Sequence, residues 1–471
     1  MKLEEKLIED EVIPLENDTY STVLPEILDK KHIRSKALSL SLPVLLNMFL
    51  ITFVGMADIM MVGRLGPSAI AAVGMANQPI LLITSVFISL TVGTTALVAR
   101  FIGAKDINNA RNVAKQSIVI SVFFGIALLP LLYIFAPQIE EFMGAEPDVL
   151  VLGTTYMRMV ALGMPFNIIA MIMGAILRGS GDMKTPLVAD VVANLANILG
   201  NYILIFGKFG APVLGVAGAG IATSLARLIS AIILSYVLYG EKTLIKLSLK
   251  ESYRLDFDIL KRIFNIGIPA ALEQFILRAG QLTFVRIVAG LGTVAFATHQ
   301  IAMNIQGLSF TPGNAFSMAA TTLVGQLLGA GKPDIAEESA RQTRLLGMIV
   351  SGISAFTIFF FGKYIAMLYT NDSTIIEQSR ICLRIIAIIQ PAQSTQFILA
   401  GALRGAGDTR FPLYSTIIGI WGMRVALAYL FVTVFGWGLT GAWLAIALDQ
   451  IARAIVIYSR FSSGKWKHIG V

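Results

Sequence analysis

Apolar runs of about 20 residues recur along almost the whole of this chain, and no other feature narrows its fold so sharply. About 20 apolar residues are what a helix needs to cross the hydrocarbon core of a bilayer. Twelve such spans are expected, at 38–61, 74–99, 113–136, 150–176, 187–207, 215–239, 264–291, 297–328, 343–368, 381–402, 412–435 and 438–460. The chain is 56 % hydrophobic and 14 % charged, with a mean hydropathy of +0.75, which excludes an ordinary soluble globule. A barrel would show short alternating segments instead, since backbone groups in lipid must be paired within the structure. The expected fold class is therefore an all-α polytopic membrane protein with 12 transmembrane helices.

Lysine and arginine placement gives the orientation. The loops after even-numbered spans hold Arg100, Lys105, Arg111, Lys115, Arg178, Lys184, Lys242, Lys246, Lys250, Lys332, Arg341, Arg404 and Arg410, whereas the opposite loops hold little beyond Arg64, Lys208 and Lys363. One of the opposite loops is acidic (Glu140, Glu141, Glu146, Asp148). The positive-inside rule then puts both termini in the cytoplasm of a multi-pass protein of the inner or plasma membrane. The net charge of +8 is thus a topology signal and implies no nucleic-acid partner. A charged polar tail, 1–37, precedes the first span in place of a cleavable signal peptide. That tail is expected to be cytosolic, and partly disordered before Pro25. The lone Cys382 excludes a disulfide framework.

The chain is also an internal repeat. A shift of 226 brings Pro43 onto Pro269, Leu65-Gly66 onto Leu291-Gly292, and Gly103-Ala104 onto Gly329-Ala330. It also brings Leu177-Arg178-Gly179, Gly181-Asp182 and Pro186 onto Leu403-Arg404-Gly405, Gly407-Asp408 and Pro412. Each unit has six spans, an even number, so the halves are parallel repeats related by an axis along the membrane normal. The expected domains are an N-lobe at 38–239, a cytosolic linker at 240–263, a C-lobe at 264–461 and a cytosolic tail at 462–471. Transporters of this kind hold substrate between their halves.

Asp58 stands near the end of the first span, and a charge at that depth costs at least about 2.5–3.5 kcal/mol on the insertion scale. Asn47 lies three turns earlier on the same face. In span 5, Asp190, Asn194, Asn197 and Asn201 fall at i, i+4, i+7 and i+11, a single polar stripe, and span 6 adds Thr223. Carboxylate, amide and hydroxyl oxygens are hard donors suited to small cations. Facing each other, these groups would form a pocket for Na⁺ or a proton; alternatively, the asparagines only join helices by hydrogen bonds. The C-half differs. Phe284 stands opposite Asp58 in the repeat, and its charges are Glu273, Arg278, Arg286, Arg424, Asp449 and Arg453. Asp449 and Arg453, at i and i+4, are expected to pair. Glu273, Arg278 and Arg424 are expected to face the interior or each other, as an ion-pair network or as substrate contacts. His32, His299 and His468 show no ligand spacing, and no Ser-His-Asp, P-loop, CxxC or HExxH motif occurs. No enzyme activity and no cofactor are expected, and without a nucleotide site transport must run on an ion gradient.

MADIMMVGRLG in span 1, LRGSGDMKTP, LRGAGDTRFP, and NLANILGNYILIFG followed by LGVAGAGIAT resemble the multidrug and toxic compound extrusion (MATE) family of the MOP flippase superfamily, over roughly residues 38–460. The resemblance implies two six-helix lobes forming a V. It implies antiport of amphipathic, often cationic organic substrates against Na⁺ or H⁺ by alternating access, in a protein expected to act as a monomer in the lipid bilayer. It assigns Asp58, Asn197, Asn201 and Thr223 to an N-lobe cation site, with Na⁺ at Asp58 as one candidate, and Pro43 to bending of the first helix. Asn47, Asp190 and Asn194 would be a secondary polar stripe. Glu273, Arg278, Gln393, Gln396 and Arg424 would be substrate-cavity candidates. The chain departs from the family pattern at Asn201, where many members carry a second Asp, at Leu277, where one branch has an acid, and at Gln393, where that branch has an Asp. The nearest alternative is a lipid-linked oligosaccharide or lipid flippase of the same superfamily; a membrane enzyme would need a catalytic constellation that is not visible.

Overall fold

A computed structural model describes residues 29–240, 243–248, 250–251 and 253–470. The tail before Asp29, and the expectation of disorder there, lie outside the described residues. All regular structure among the described residues is helical. The N-half comprises α1 (Lys30–Gly63), α2 (Pro67–Gly103), α3 (Ile107–Ile134), α4 (Pro147–Ser180), α5 (Lys184–Phe206) and α6 (Val216–Leu238). The C-half comprises α7 (Phe257–Ala289), α8 (Thr293–Gly329), α9 (Pro333–Met367), α10 (Ser373–Gly405), α11 (Arg410–Val434) and α12 (Gly438–Ser462). Each helix coincides with one of the twelve expected spans to within two residues or overruns it, and α1, α2, α4, α8 and α10 extend beyond theirs at both ends. A short helix, Ala136–Phe142, joins α3 to α4.

Ten of these helices are long and apolar enough to cross a membrane on their own composition. The other two, α7 and α8, carry Glu273, Gln274, Arg278, Gln281 and Arg286, and His299, Gln300, Asn304, Gln306 and Asn314. These polar residues lower their hydropathy. α11 is wound as a π-helix over Ile417–Val425 and Leu430–Val434, a winding concentrated at functional or strained places.

The repeated LRGxGD segment is a tight turn in both halves. Gly181 (φ +96°) and Gly407 (φ +87°) take left-handed conformations that a side chain would strain. Pro186 and Pro412 then fall in the first turn of the following helix, where a missing N–H costs nothing. In the N-half turn, Asp182 Oδ1 accepts from the backbone N–H of Lys184 and Thr185 at 3.0 and 2.9 Å, which caps α5.

The halves are bound at the end that carries both described termini. There α2 and α8 cross at Gly103 and Gly329, which are repeat mates. A Cβ on Gly103 would lie 2.6 Å from the carbonyl carbon of Gln326, and one on Gly329 would lie 2.8 Å from that of Arg100. Gln326 is itself the repeat mate of Arg100, so the contact is reciprocal. Gln326 Nε2 donates to the Gly179 carbonyl (3.0 Å), Thr322 Oγ1 to the Arg178 carbonyl (3.0 Å), and Arg100 Nη1 to the Ala406 carbonyl (3.4 Å). The first helix of each half also leans on the other half. Ala37, Leu40 and Val44 of α1 pack on Ala315, Ala319 and Leu323 of α8. Their mates Ile263 and Ile266 of α7 join the core of the N-half, where Gly93 meets the Ile263 backbone.

Candidate functional site

The polar stripe of α5 faces α1 and α6. α1 continues five residues past Asp58 to Gly63, so the carboxylate is inside the helix and caps no helix end. Asn201 Nδ2 donates to Asp58 Oδ1 at 2.6 Å. With its amide nitrogen turned to the carboxylate, Asn197 donates to Asp58 Oδ1 at 2.9 Å and accepts from the Thr223 backbone N–H at 3.3 Å. The Thr223 hydroxyl donates to its own helix at Ala219 (2.9 Å), leaving its lone pairs free to turn toward the site. Asn197 and Asn201 are buried, whereas Asp58 and Thr223 are half-buried. Asn201 Oδ1 is buried without a hydrogen-bond partner. Asp58, Asn201 and Thr223 share a cavity of about 320 Å³ with Asn77 and Tyr156.

Three turns away, the same two helices make a second pair with the roles reversed. Asn47 Nδ2 of α1 donates to Asp190 Oδ2 of α5 at 2.7 Å, and Ser230 of α6 donates to Asp190 Oδ1 at 3.4 Å. Asp58 with Asn201 and Asn47 with Asp190 are thus two carboxylate–amide clamps between α1 and α5, one acid per helix. Asn194 lies between them, half-buried.

Sequence reasoning passed over Tyr156, Asn77 and Arg227. Arg227 lines an adjoining cavity of about 340 Å³, which shares Asn77, Tyr156 and Thr223 with the first. It lies one helical turn beyond Thr223, in mid-span, so the cost of a charge at membrane depth was a signal that could have found it.

In the C-half, Asp449 is fully buried and pairs with both Arg424 (2.6 Å) and Arg453 (2.8 Å). Glu273 does not pair with Arg278 or Arg424, contrary to the expectation from sequence. Both of its carboxylate oxygens accept from Arg404 Nη2, at 2.7 and 2.9 Å, and Thr416 Oγ1 donates to it at 3.2 Å. Counting Arg404 as a loop residue hid this partner; the helix α10 runs to Gly405. Arg278 is exposed, whereas Glu273, Gln393, Gln396 and Arg424 are buried. None of the five lines the cavities around Asp58 and Arg227. Both side-chain polar atoms of Gln393, and Gln396 Oε1, lack hydrogen-bond partners. At the mate of Asp58, Phe284 meets His299, which in turn meets Trp443, with ring centroids 5.6 and 5.7 Å apart. The repeat therefore holds a carboxylate site in one half and an aromatic cluster in the other.

Twelve helices in two parallel halves, joined at one end and carrying an intramembrane acid among amide donors, define a membrane transporter rather than an enzyme. The MatE family model matches residues 43–203 and again 269–430, at the interval found within the sequence, and the chain belongs to the MatE family of multidrug efflux transporters. It is 33 % identical over 444 residues to the probable multidrug resistance protein NorM of Thermotoga maritima, covering 93 % of this chain and 94 % of that protein. Two solved structures share the twelve-span, two-lobe fold at a TM-score of 0.85 and 26 % identity, each covering 93 % of this chain and 97 % of the other. One is a multidrug resistance MATE family transporter of the MOP superfamily in an outward-facing conformation. The other is a MOP superfamily transporter from Pyrococcus furiosus, for which a reversed polarity of the binding pocket suggests a different function.

Proposed function

We propose that the protein is a secondary-active exporter that antiports amphipathic, often cationic organic compounds against Na⁺ or H⁺ by alternating access. The coupling site is Asp58 with Asn197, Asn201 and Thr223. The observation that carries this is the buried Asn201 Oδ1, which has no partner beside a carboxylate that opens on a cavity. Buried polar atoms are ordinarily satisfied, and an acceptor left free beside a carboxylate suits a small cation or a protonated partner. Asn77 and Tyr156 extend the same cavity toward Arg227, giving an organic substrate room within reach of Asp58.

The proposal includes the orientation, with both termini cytoplasmic, and a monomer built of an N-lobe (38–239), a linker (240–263) and a C-lobe (264–461). The basic end that binds the halves together would then be the cytoplasmic gate, closed here. Asn47, Asp190 and Asn194 keep α1 in register with α5, and Pro43 is the place where α1 can bend. The test is ethidium efflux from liposomes containing purified protein under imposed Na⁺ and pH gradients. Asp58→Asn should insert normally and lose coupled efflux; near-normal coupled efflux by that variant would sink the assignment.

A second reading rests on the C-half, where one buried acid, Asp449, serves two arginines and Arg278 adds a third positive charge. Such a surplus suits an anionic group, as in a lipid or lipid-linked oligosaccharide flippase. Lipid scrambling without ethidium efflux in the same liposomes would favour it.

A further inference from the structure

A cavity of about 480 Å³ lies at the termini-bearing end of the C-half, far from Asp58, between the start of α7, the α10–α11 turn and the end of α12. Its charged lining is Arg262, Arg410, Arg460 and a single acid, Asp408. Asp408 Oδ2 is taken by Arg460 Nε at 2.7 Å, while Arg262 and Arg410 are exposed and form no ion pair among the described residues. Two positive charges therefore face the space uncompensated. Thr409, at the same wall, is 1 % exposed and its Oγ1 has no hydrogen-bond partner.

The repeat isolates what is particular to this place. In the N-half turn, Asp182 caps α5, but Asp408 has turned to Arg460, and the opening turn of α11 has no side-chain cap. α6 and α12 align at a shift of 223, Gly218 falling on Gly441, so the repeat mate of Arg460 is the uncharged Val237. Backbone N–H groups at the start of α11, the Thr409 hydroxyl and two guanidinium groups thus border one space whose single carboxylate is taken by Arg460. Positive-inside placement accounts for arginines at this end, but not for a buried hydroxyl without a partner in the wall of a cavity.

We propose that this cavity binds the phosphate group of an anionic phospholipid. Phosphate offers the several strong acceptor oxygens that guanidinium groups, a hydroxyl and a helix N-terminus together can satisfy. Beside Asn265 and Tyr414, the wall has an apolar part, Ile266, Ile469 and Phe411, whose ring lies 5.1 Å from the Arg460 guanidinium carbon. It suits the glycerol and upper acyl carbons that a free phosphate would lack. Basic pockets between helices on the cytoplasmic side recognise lipid headgroups in this way.

Delipidated full-length transporter in detergent would be titrated with phosphatidylglycerol, phosphatidylcholine or inorganic phosphate, with bound lipid counted by native mass spectrometry and stability followed by thermal shift. Phosphatidylglycerol should bind in preference to phosphatidylcholine. The double variant Arg262→Gln/Arg410→Gln, at two exposed positions, should weaken it about 25-fold, from about fivefold for each arginine beside an anionic headgroup. Thr409→Val should weaken it further. Equal affinity in wild type and double variant would overturn the proposal. Inorganic phosphate protecting as well as phosphatidylglycerol would overturn the lipid as the source and leave a soluble phosphate in its place. The readout is binding, so its outcome is separate from that of the efflux assay.

Discussion

Gly103→Ala, or its mate Gly329→Ala, tests whether the reciprocal crossing of α2 and α8 belongs to only one state of a transport cycle. The added methyl would stand 2.6 Å from the Gln326 carbonyl carbon and 2.8 Å from its Cα at one site, and 2.8 Å from the Arg100 carbonyl carbon and 3.0 Å from the Ala104 nitrogen at the other. The carbonyl oxygens of Gln326 and Arg100 stand nearer still; ordinary contact needs about 3.5–4.0 Å, so the two helices must part by more than about 1 Å. Every atom in the way is backbone, and none can rotate aside. Overpacking of this kind costs about 1–3 kcal/mol. Were the crossing undone in the opposite state, the whole cost would fall on the state closed at this end. The equilibrium would then move roughly 5- to 150-fold toward the other. Phe142 and Leu368 are repeat mates on the far end, both exposed, and cysteines there can carry spin labels while the buried Cys382 stays unlabelled. Pulsed dipolar distances should shift to the shorter population in either glycine variant, and stay put in the control Gly352→Ala, which has open space around it. An unchanged distribution in folded Gly103→Ala protein would refute the reasoning.

Four further outcomes are expected. Glu140, in the short helix between α3 and α4, is fully buried beside Gly153 with both carboxylate oxygens unpartnered, and burial pushes it up to about 7. The folded state thus holds its proton more tightly than the unfolded one, so stability should fall as pH rises from about 4.5 to about 7, by at most about 3 kcal/mol. Glu140→Gln should remove that slope in thermal melts; a slope that persists speaks against it. Glu273→Gln should destabilise by about 3–5 kcal/mol by stranding Arg404, and Arg404→Gln should restore much of the loss, which a double-mutant cycle in detergent would measure. Asp190→Asn should spare coupled efflux more than Asp58→Asn, because it breaks only the Asn47 clamp; equal losses in the liposome assay would make the two clamps one unit. Arg278→Gln should change the relative rates of cationic and zwitterionic substrates while ion dependence persists, as competition assays would read.

The fold was legible because its signals are long. Twelve apolar runs and a repeat at a shift of 226, without a gap over residues 42–187, survive errors of several residues at each boundary, and the turn glycines and prolines mark where helices end. The α1–α5 pairings were legible in part, since Asn47 and Asp58 share a face, as do Asp190 and Asn201, and each pair is three turns long. Which acid meets which amide depends on the relative height of two helices, which spacing within either helix does not fix. The C-half misled for a similar reason. Glu273 and Arg404 are 131 residues apart, and Arg404 looked like a loop residue because α10 runs farther than its apolar core. Tyr156 and Asn77 were invisible because single polar residues on apolar helices are common, and only a cavity distinguishes them.

The exchange of first helices between the halves has a consequence for how the chain is made. α1 leaves the ribosome well before α8, yet its strip of Ala37, Leu40 and Val44 has no surface to lie on until Leu323 of α8 has been synthesised. Its counterpart α7 meets α2 as soon as it is inserted, because the N-half is already in place. Two contacts that are equivalent in the finished molecule therefore form at different times. The early helix must wait in lipid or beside the insertion machinery, held to its own half mainly by the clamps to α5. Cutting the chain in the linker would leave both pieces with a first helix docked on a missing partner, so separately made halves should be stable only when they are produced together.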